Sequence, residues 1–451
     1  MSELILIIST VLVSYQRPIP EDLVYEFHLR NRSYNLYNTR FSIPVEVPYP
    51  GGELVGSSSK YIITANFETL YDSAYTFDFY PRLLCRKQGY GLVIEPLFRI
   101  GEIRGWPAIK WQNVLCGAYS RAYAFYQSPK VLLMAGRNKL QLNLEGLIAE
   151  EDPPMDMLFA RYNGKKFYFS YFAGQLSSEK ATDSSYYYEL GKLYNRFISG
   201  HSLEYRSTNF SASFSEVVVY FSRTNFPDLY FLNPFMLYHP RVLDDTEGGE
   251  HNTFWIIAGN YWGKRYSTHL EFLVDDFHLP DPDQWAPHKL AWIFKSYIID
   301  FPLNSTVSGI SYTGATRWTY THGLSLLYYN NKREVMGVLN ENDFDKVEVF
   351  TRKHLSKSLD IKGNLNFKRK GEGSVSDRDI YWERGIDYPQ DYFLTGIVEQ
   401  RFGPGIEFYV HNPRISLRLY TEYDWIRNRS HVEGAVGKEL RVEFSGNFGL
   451  W

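Results

Sequence analysis

Apolar and polar residues alternate with a period of two along most of the chain from about residue 60 onward. Residues 61–68 read YIITANFE, with an apolar residue at every odd position, and residues 75–79 read YTFDF. A period of two places the two sets of side chains on opposite faces of a β-strand. The turn-forming pair Asp72 and Ser73 separates these stretches, which predicts a hairpin. Helical periodicity is nearly absent.

The same pattern predicts many further strands, which one sheet could contain. With strands of about 10 residues and connections of about 12, the region after residue 60 accommodates about 18 strands, within the even-numbered range of membrane barrels. The sequence therefore predicts an all-β protein, a single large antiparallel transmembrane β-barrel with a short irregular N-terminal segment. The predicted strands lie near residues 93–99, 119–126, 166–176, 197–205, 210–220, 254–262, 269–277, 289–297, 307–316, 322–329, 347–352, 359–368, 393–401, 415–423 and 439–448.

The last predicted strand separates its apolar and polar faces most clearly. Its even positions from 440 to 450 are mostly apolar, and its odd positions from 439 to 447 are polar. We predict that Val442 and Phe444 contact lipid while Arg441 and Glu443 face the interior, because barrel strands alternate in this way. A terminal Trp451 resembles the C-terminal signal that barrel-insertion machinery recognises, although it lies in register with the polar set.

The N-terminal region differs from the rest of the chain. Residues 4–14 read LILIISTVLVS, which has the length of a signal-peptide core and is too short for a transmembrane helix. We predict a signal peptide at residues 1–14, a periplasmic or plug segment at 15–59, and the barrel at 60–451. A buried strand is the alternative for the first stretch, because Glu3 stands where a basic residue is expected and no A-x-A cleavage site follows.

Composition excludes several classes of function. The chain has 17% aromatic and 22% charged residues, a mixture that barrels need for aromatic girdles around a polar interior. A formal net charge of -3 argues against nucleic acid as a partner. Two cysteines without CxxC spacing indicate neither a zinc site nor a disulfide framework. The sequence also contains no GxSxG, HxH or HExxH motif, so we predict no enzyme activity, cofactor or catalytic metal.

Several short motifs, read in order, resemble those of the capsule assembly Wzi family of outer-membrane β-barrel lectins. The resemblance covers roughly residues 130–350, and the order of the motifs carries more weight than any one of them. The chain departs from the family before residue 130, where the family has a more substantial helical part than residues 17–59 supply. The motifs are GR at 136–137, PPMD at 153–156, RFISGH at 196–201, SEVV at 215–218, YFLNP at 230–234, EFLVDDF at 271–277, RWTYTH at 317–322 and NDFD at 342–345.

The resemblance implies non-catalytic binding of capsular or other surface polysaccharide in the outer membrane. The expected partners are this polysaccharide, outer-membrane lipid and the barrel-insertion machinery, with no nucleic acid. A general or sugar-selective diffusion porin is the alternative, since it needs the same polar interior under an apolar belt. A secreted glycosidase is the third class.

Candidate glycan or lumen residues lie at or near predicted strands, beside Tyr, Trp or Ser. Glu271 and Asp275 share one face of a strand but would be about 13 Å apart, too far for either glycosidase mechanism. We therefore favour a structural or sugar-binding role for Glu271 and Asp275. For Arg137, His201, Glu216 and His322, a structural lumen network of Arg with Glu and Asp across neighbouring strands is expected at least as much as a glycan site. The NDFD stretch is either a calcium loop or, by preference, a solvated turn. The candidates are Arg137, His201, Glu216, Glu271, Asp275, Tyr320 and His322.

Overall fold

A computed structural model gives the fold of the chain from residue 60 onward. The described residues are 60–72, 74–101, 110–111, 115–140, 147, 154–181, 189–222, 224, 226–240, 251–276, 288–322, 324–331, 334–337, 341–356, 358–375, 392–411 and 415–450. The signal peptide and the segment predicted at 1–14 and 15–59 lie outside these residues, as does Trp451. No helix of the described residues is long and apolar enough to cross a membrane.

Among the described residues, eighteen long strands follow one another along the chain, all antiparallel to their neighbours. They are β1 (Lys60–Asp72), β2 (Ala74–Lys87), β3 (Tyr90–Gly101), β4 (Leu115–Gln127), β5 (Val131–Asn138), β6 (Met155–Asn163), β7 (Phe167–Gln175), β8 (Leu193–Arg206), β9 (Phe210–Ser222), β10 (His251–Trp262), β11 (Tyr266–Asp276), β12 (Lys289–Ile299), β13 (Thr306–Ala315), β14 (Phe344–Ser356), β15 (Leu359–Lys370), β16 (Glu399–His411), β17 (Ile415–Arg427) and β18 (Val436–Leu450).

The sheet closes on itself. Each strand pairs with the next, and β1 pairs with β18 over the register from Ile63 with Leu450 to Tyr71 with Val442. Closure removes both edges of the sheet, so that every strand has a hydrogen-bonded neighbour on each side. The predicted fold class and the predicted number of about 18 strands are confirmed.

The two ends of the barrel differ in the length of their connections. At one end the strands are joined by two to six residues, as at 88–89 and 300–305. At the other end most connections are much longer, including 223–250, 316–343 and 371–398. Membrane barrels have short periplasmic turns and long extracellular loops. We therefore refer to the end with the long connections as the extracellular end.

Alternation along the strands separates a polar interior from an apolar outer face. On β15, Asp360, Asn364 and Asn366 are at most 6% exposed and point inward, whereas Leu365 and Phe367 point outward and are 50% and 38% exposed. On β18, Leu440 and Phe444 are exposed while Glu443 pairs with Arg418 of β17. The face assignment predicted for the last strand therefore agrees with its described side chains.

Aromatic side chains form a belt on the outer face beside the short turns. The rings of Tyr90 and Tyr126 are 4.8 Å apart, and those of Tyr261 and Tyr266 are 5.5 Å apart. Tyr205 lies 5.3 Å from Phe167 and 5.6 Å from Phe210. Rings of this kind sit at the level of the lipid headgroups. This periplasmic girdle gives a reference height for the rest of the barrel wall.

Four details of the predicted strand pattern differ from the structure. β5 and β6 were not among the predicted strands, because apolar residues occupy both of their faces and hide the period of two. Leu132 and Leu133 of β5 and Leu158 and Phe159 of β6 are such neighbours. The strand predicted at 322–329 is wrong, since this stretch contains a 3-10 turn at Ser325–Leu327. The strand predicted at 393–401 begins only at Glu399. Residues 326–329 are buried without belonging to a strand of the sheet.

Candidate functional site at the extracellular end of the barrel

The connection between β13 and β14 folds into the extracellular half of the barrel. We call its described residues between 316 and 337 the plug segment, which is distinct from the N-terminal segment predicted at 15–59. It includes Trp318, Tyr320, Leu327 and Met336, each at most 2% exposed. The plug segment packs against side chains of the barrel interior. For example, the ring of Tyr329 lies 4.8 Å from that of Phe254, an interior residue of β10.

A buried arginine of the barrel wall forms several hydrogen bonds to the plug segment. Arg196 of β8 is fully buried, and its Nε donates to the carbonyl oxygen of Leu326 at 2.6 Å. Its Nη1 donates to Asn330 Oδ1 at 2.7 Å, and its Nη2 donates to the carbonyl oxygen of Tyr328. A guanidinium has five N–H donors in a fixed planar arrangement, so one side chain can satisfy several carbonyl groups of an irregular segment.

Asp275 and Tyr320, two of the predicted site residues, meet in the same place. Asp275 lies at a register shift between Val274 and Asp276 of β11, and its Oδ2 accepts from the backbone N–H of Tyr320 at 2.7 Å. The hydroxyl of Tyr320 donates to the carbonyl oxygen of Leu147, from another long connection, at 3.0 Å. The two residues thus fix the plug segment to the wall and to a neighbouring loop.

Glu271 and His322 lie on the interior side as predicted, but at separate places. Glu271 is fully buried on β11, with its Oε1 3.1 Å from Nε2 of His269. The other ring nitrogen of His269 is 2.7 Å from Asn260 Oδ1 of β10. His322 belongs to the plug segment, where its Nδ1 accepts from the backbone N–H of Leu324 at 3.1 Å. Neither arrangement brings two carboxylates to one point.

His201 and Glu216 face the outside of the barrel, so their predicted placement in the lumen is wrong. Glu216 lies opposite Trp255 in the sheet and shares its face with Phe214, and these two aromatic residues are 36% and 40% exposed. His201 lies opposite Glu216 on β8, with Nε2 3.5 Å from Glu216 Oε2. The alternation in the sequence separates the two faces of a strand, but it does not determine which face is inward.

A second segment covers these two residues from outside. Residues 226–240, the strap, follow β9 and return over the outer wall of the barrel. The backbone N–H groups of Tyr238 and His239 donate to the two carboxylate oxygens of Glu216 at 2.7 and 3.0 Å. The indole N–H of Trp255 donates to the same carboxylate at 2.9 Å. Glu216, which is 1% exposed, is therefore the anchor of the strap.

Arg137 also points outward and not into the lumen. It lies at the extracellular end of β5, opposite Asp156 of β6, and shares its outer face with the exposed Leu133. Its Nε and Nη2 donate to the two carboxylate oxygens of Asp156 at 2.9 and 2.7 Å. This bidentate pair is partly exposed beside the long loop between the two strands. Its geometry fixes the strand ends, and a contact with glycan at this residue stays a prediction.

The interior wall carries many ion pairs that the sequence analysis did not name individually. Most of them join neighbouring strands, as expected for the network of Arg with Glu and Asp that is the alternative to a glycan site. The sequence feature that indicates them is the row of polar residues at every second position of each alternating strand. The pairs are Arg82 with Glu95, Arg206 with Glu204, Lys362 with Glu348, Arg352 with Asp360, Arg401 with Glu439, and Arg418 with Glu407 and Glu443.

The NDFD stretch is buried, so the solvated turn preferred for it is wrong. Asp343 is fully buried with φ +50°, a conformation that Asp tolerates better than most residues. Its Oδ2 accepts from the backbone N–H of Gly373 at 2.9 Å and from the hydroxyl of Thr395 at 2.7 Å. Asp343 thus connects the base of the plug segment to the next long connection. Within the described residues no group of three His, Cys, Asp or Glu side chains could hold a metal.

Polar and charged side chains of the plug segment and of neighbouring elements meet at the extracellular end of the barrel. Lys368 Nζ lies 2.8 Å from Glu341 Oε1. Arg317 donates to Thr395 Oγ1 at 3.0 Å, and its guanidinium carbon lies 4.8 Å from the ring centre of Trp318. We call the partly exposed Arg317, Glu341 and Lys368 the rim cluster, whereas Thr395 is 2% exposed and serves to hold Arg317. Planar donors beside aromatic and carboxylate groups can bind hydroxyl and carboxylate groups of a ligand.

Comparison with known proteins supports the fold. No protein-family model and no curated protein sequence matches the chain. The structure is similar to that of Wzi, an outer-membrane protein involved in group 1 capsule assembly in Escherichia coli and described as a carbohydrate-binding β-barrel. The TM-score is 0.55 at 10% identity, over 87% of this chain and 84% of that one.

Two structures from Pseudomonas aeruginosa are also similar, at TM-scores of 0.49. The outer membrane protein OprD is 11% identical, over 87% of this chain and 95% of its own. OccK5 (OpdH) is 10% identical, over 87% of this chain and 99% of its own. The closed strand order and the match to Wzi together give the chain the fold of a large outer-membrane β-barrel.

Proposed function

We propose that this chain lies in the outer membrane and binds a surface polysaccharide at its extracellular end without cleaving it. The observation that carries the proposal is the plug segment, which occupies the extracellular half of the interior. A diffusion porin needs a water-filled channel through the same region. Arg196 donates to the plug segment and Asp275 accepts from it. Hydrogen bonds that involve a charged group are among the stronger ones in proteins.

Two independent resemblances support the polysaccharide as ligand. The ordered motifs between residues 130 and 350 resemble the Wzi family, and the solved Wzi barrel is a carbohydrate-binding protein by its own description. The motif residues have identifiable structural roles here. Arg196 of RFISGH and Tyr320 of RWTYTH are both part of the plug contacts. Two of the motifs therefore contribute residues to the extracellular end.

The rim cluster is the proposed contact surface for the polysaccharide. Arg317 belongs to the plug segment, and Glu341 and Lys368 lie beside it, at the end where a polysaccharide outside the cell arrives. The guanidinium of Arg317 is a planar donor supported by the buried ring of Trp318, and Lys368 and Glu341 add charges of both signs. Such donors and carboxylates can bind the hydroxyl groups of sugar rings.

The positions of Glu271 and Asp275 argue against their acting as a glycosidase pair. A glycosidase needs two carboxylates on opposite sides of the scissile bond, at defined separation. Glu271 is buried beside His269 in the strand wall, and Asp275 is bound to the backbone of the plug segment. Both carboxylates thus stabilise the fold, and neither lies in the rim cluster.

The test compares cells that lack this chain with cells that carry it. We expect the deletion to release polysaccharide from the surface into the medium, and the double variant Arg317→Ala with Lys368→Ala to do the same. In planar bilayers the purified wild-type protein should conduct little. Unchanged retention in the deletion, together with conductance at high open probability, would discard this proposal and favour the porin. Heat-modifiable gel mobility shows that the variants are folded barrels.

A further inference from the structure

The strap lies at the depth of the lipid bilayer. Tyr205 of the periplasmic girdle is four residues from His201 and eight from Phe197 along β8. At about 3.4 Å per residue and a tilt of about 40°, His201 is about 10 Å and Phe197 about 20 Å above the girdle. The apolar band of such barrels is about 25 Å tall. Both positions, with the strap over them, therefore fall inside the band.

Ring contacts place the strap at these heights. Phe231 lies 4.6 Å from Tyr220, which pairs with Phe197 in the sheet. Tyr238 lies 4.8 Å from His201. Phe235 stacks at 5.7 Å on Phe169, an outer-face residue only two positions above the girdle. The strap therefore descends along the wall through much of the apolar band.

More than half of the backbone N–H groups of the strap donate hydrogen bonds within the protein. Irregular backbone is rarely found against lipid, because each unpaired N–H or C=O group costs several kcal/mol there. Seven of the described N–H groups in residues 226–240 donate hydrogen bonds, and three residues of the strap are prolines without an N–H. Tyr171 and Tyr230 donate their hydroxyls to strap carbonyl groups.

The outward face of the strap is apolar. Its sequence, FPDLYFLNPFMLYHP, holds one formally charged residue, Asp228, whose carboxylate accepts from the backbone N–H of Tyr230. Phe226, Leu229 and Phe235 are 74%, 81% and 83% exposed. An extracellular loop in water would not present these side chains, since exposing large apolar groups is unfavourable. The face is continuous with the belt residues of β8 and β9, such as Leu203 and Phe214.

We propose that the strap is immersed in the acyl chains of the bilayer, where it forms a second layer over the barrel wall and keeps Glu216 and His201 away from lipid. The carboxylate of Glu216 is too deep to reach the headgroups, so it needs donors from protein. The strap supplies them from its own backbone. The outward face of the strap therefore contacts lipid. The alternative is that it contacts a second copy of this chain.

Spin labels test this directly in phosphatidylcholine vesicles. Single cysteines at Leu229 and Phe235, in a background with Cys85→Ser and Cys116→Ser, carry the label. Leu203→Cys serves as the control on the belt, and Val432→Cys, at a 58% exposed position in the connection between β17 and β18, as the control in water. Collision with molecular oxygen reports lipid, and collision with a water-soluble nickel chelate reports water.

We expect the labels at Leu229 and Phe235 to match Leu203, with high oxygen and low nickel collision rates. Nickel collision at the level of Val432 would overturn the proposal and place the strap in water. Low collision with both reagents, with dipolar broadening between labels, would also overturn it and assign the face to a second copy. All four label sites are exposed on the folded protein, so the variants should fold, and heat-modifiable mobility checks this.

Discussion

Removing the guanidinium of Arg196 is expected to free the plug segment while leaving the barrel intact. In Arg196→Met, the carbonyl oxygen of Leu326 and the side-chain oxygen of Asn330 lose donors at 2.6 and 2.7 Å. The barrel wall does not depend on these bonds, because its strands pair through their own backbone groups. Methionine can fill part of the volume but cannot donate.

The magnitude follows from the groups left without a donor. Each buried polar group that loses its partner costs about 1–3 kcal/mol, so the two together cost about 2–6 kcal/mol. The carbonyl oxygen of Tyr328 adds less, since it still accepts from the backbone N–H of Asn330 at 2.8 Å. This corresponds to a change of roughly 30-fold to 10⁴-fold in the ratio of held to released plug segment.

Single-channel recording in planar bilayers measures the effect. We expect longer and more frequent openings for Arg196→Met than for the wild type. Arg441→Met is the control, because Arg441 is another arginine on the lumen face. Its loss leaves no carboxylate unpaired, since its partner Glu443 still forms an ion pair with Arg418. An Arg196→Met barrel that is folded by gel mobility and conducts as little as the wild type would refute the role given to this side chain.

Four further substitutions test other parts of the structure. Phe444→Arg should destabilise the barrel by about 2–4 kcal/mol if the position lies near the midplane, and Arg441→Gln should hardly affect it, as read from heat-modifiable mobility. Glu216→Leu leaves two amide donors of the strap unpaired, costs about 2–6 kcal/mol, and should let chymotrypsin cleave within residues 226–240. Asp343→Ala removes the acceptor at the base of the plug segment, which should speed proteolysis of the 371–398 connection.

Each of these has an outcome that contradicts it. Normal folding of Phe444→Arg with failed folding of Arg441→Gln would invert the faces of β18, since a one-residue slip exchanges them. A protease-resistant strap in Glu216→Leu would show that its ring contacts suffice without the carboxylate. Unchanged proteolysis of Asp343→Ala would show that the 371–398 connection is held by other contacts.

The sequence alone determined the fold class, the approximate number of strands and the membrane as their environment. This is because strand alternation is a local property, visible at each pair of neighbouring residues. The last strand illustrates it, since the faces of Phe444 and Glu443 follow from their parity. The motifs also contained Tyr320 and Asp275, which the structure brings together at the extracellular end.

Only the tertiary structure decided what covers each face. Arg196 meets Leu326 130 positions further along the chain, and no local pattern encodes such a contact. For the same reason Glu216, a polar residue in an alternating strand, was expected in the lumen. The apolar composition of residues 226–240 was the available signal that a loop returns to the membrane. Period two defines two faces of a strand, and the path of a distant loop determines whether a given face meets lipid, water or protein.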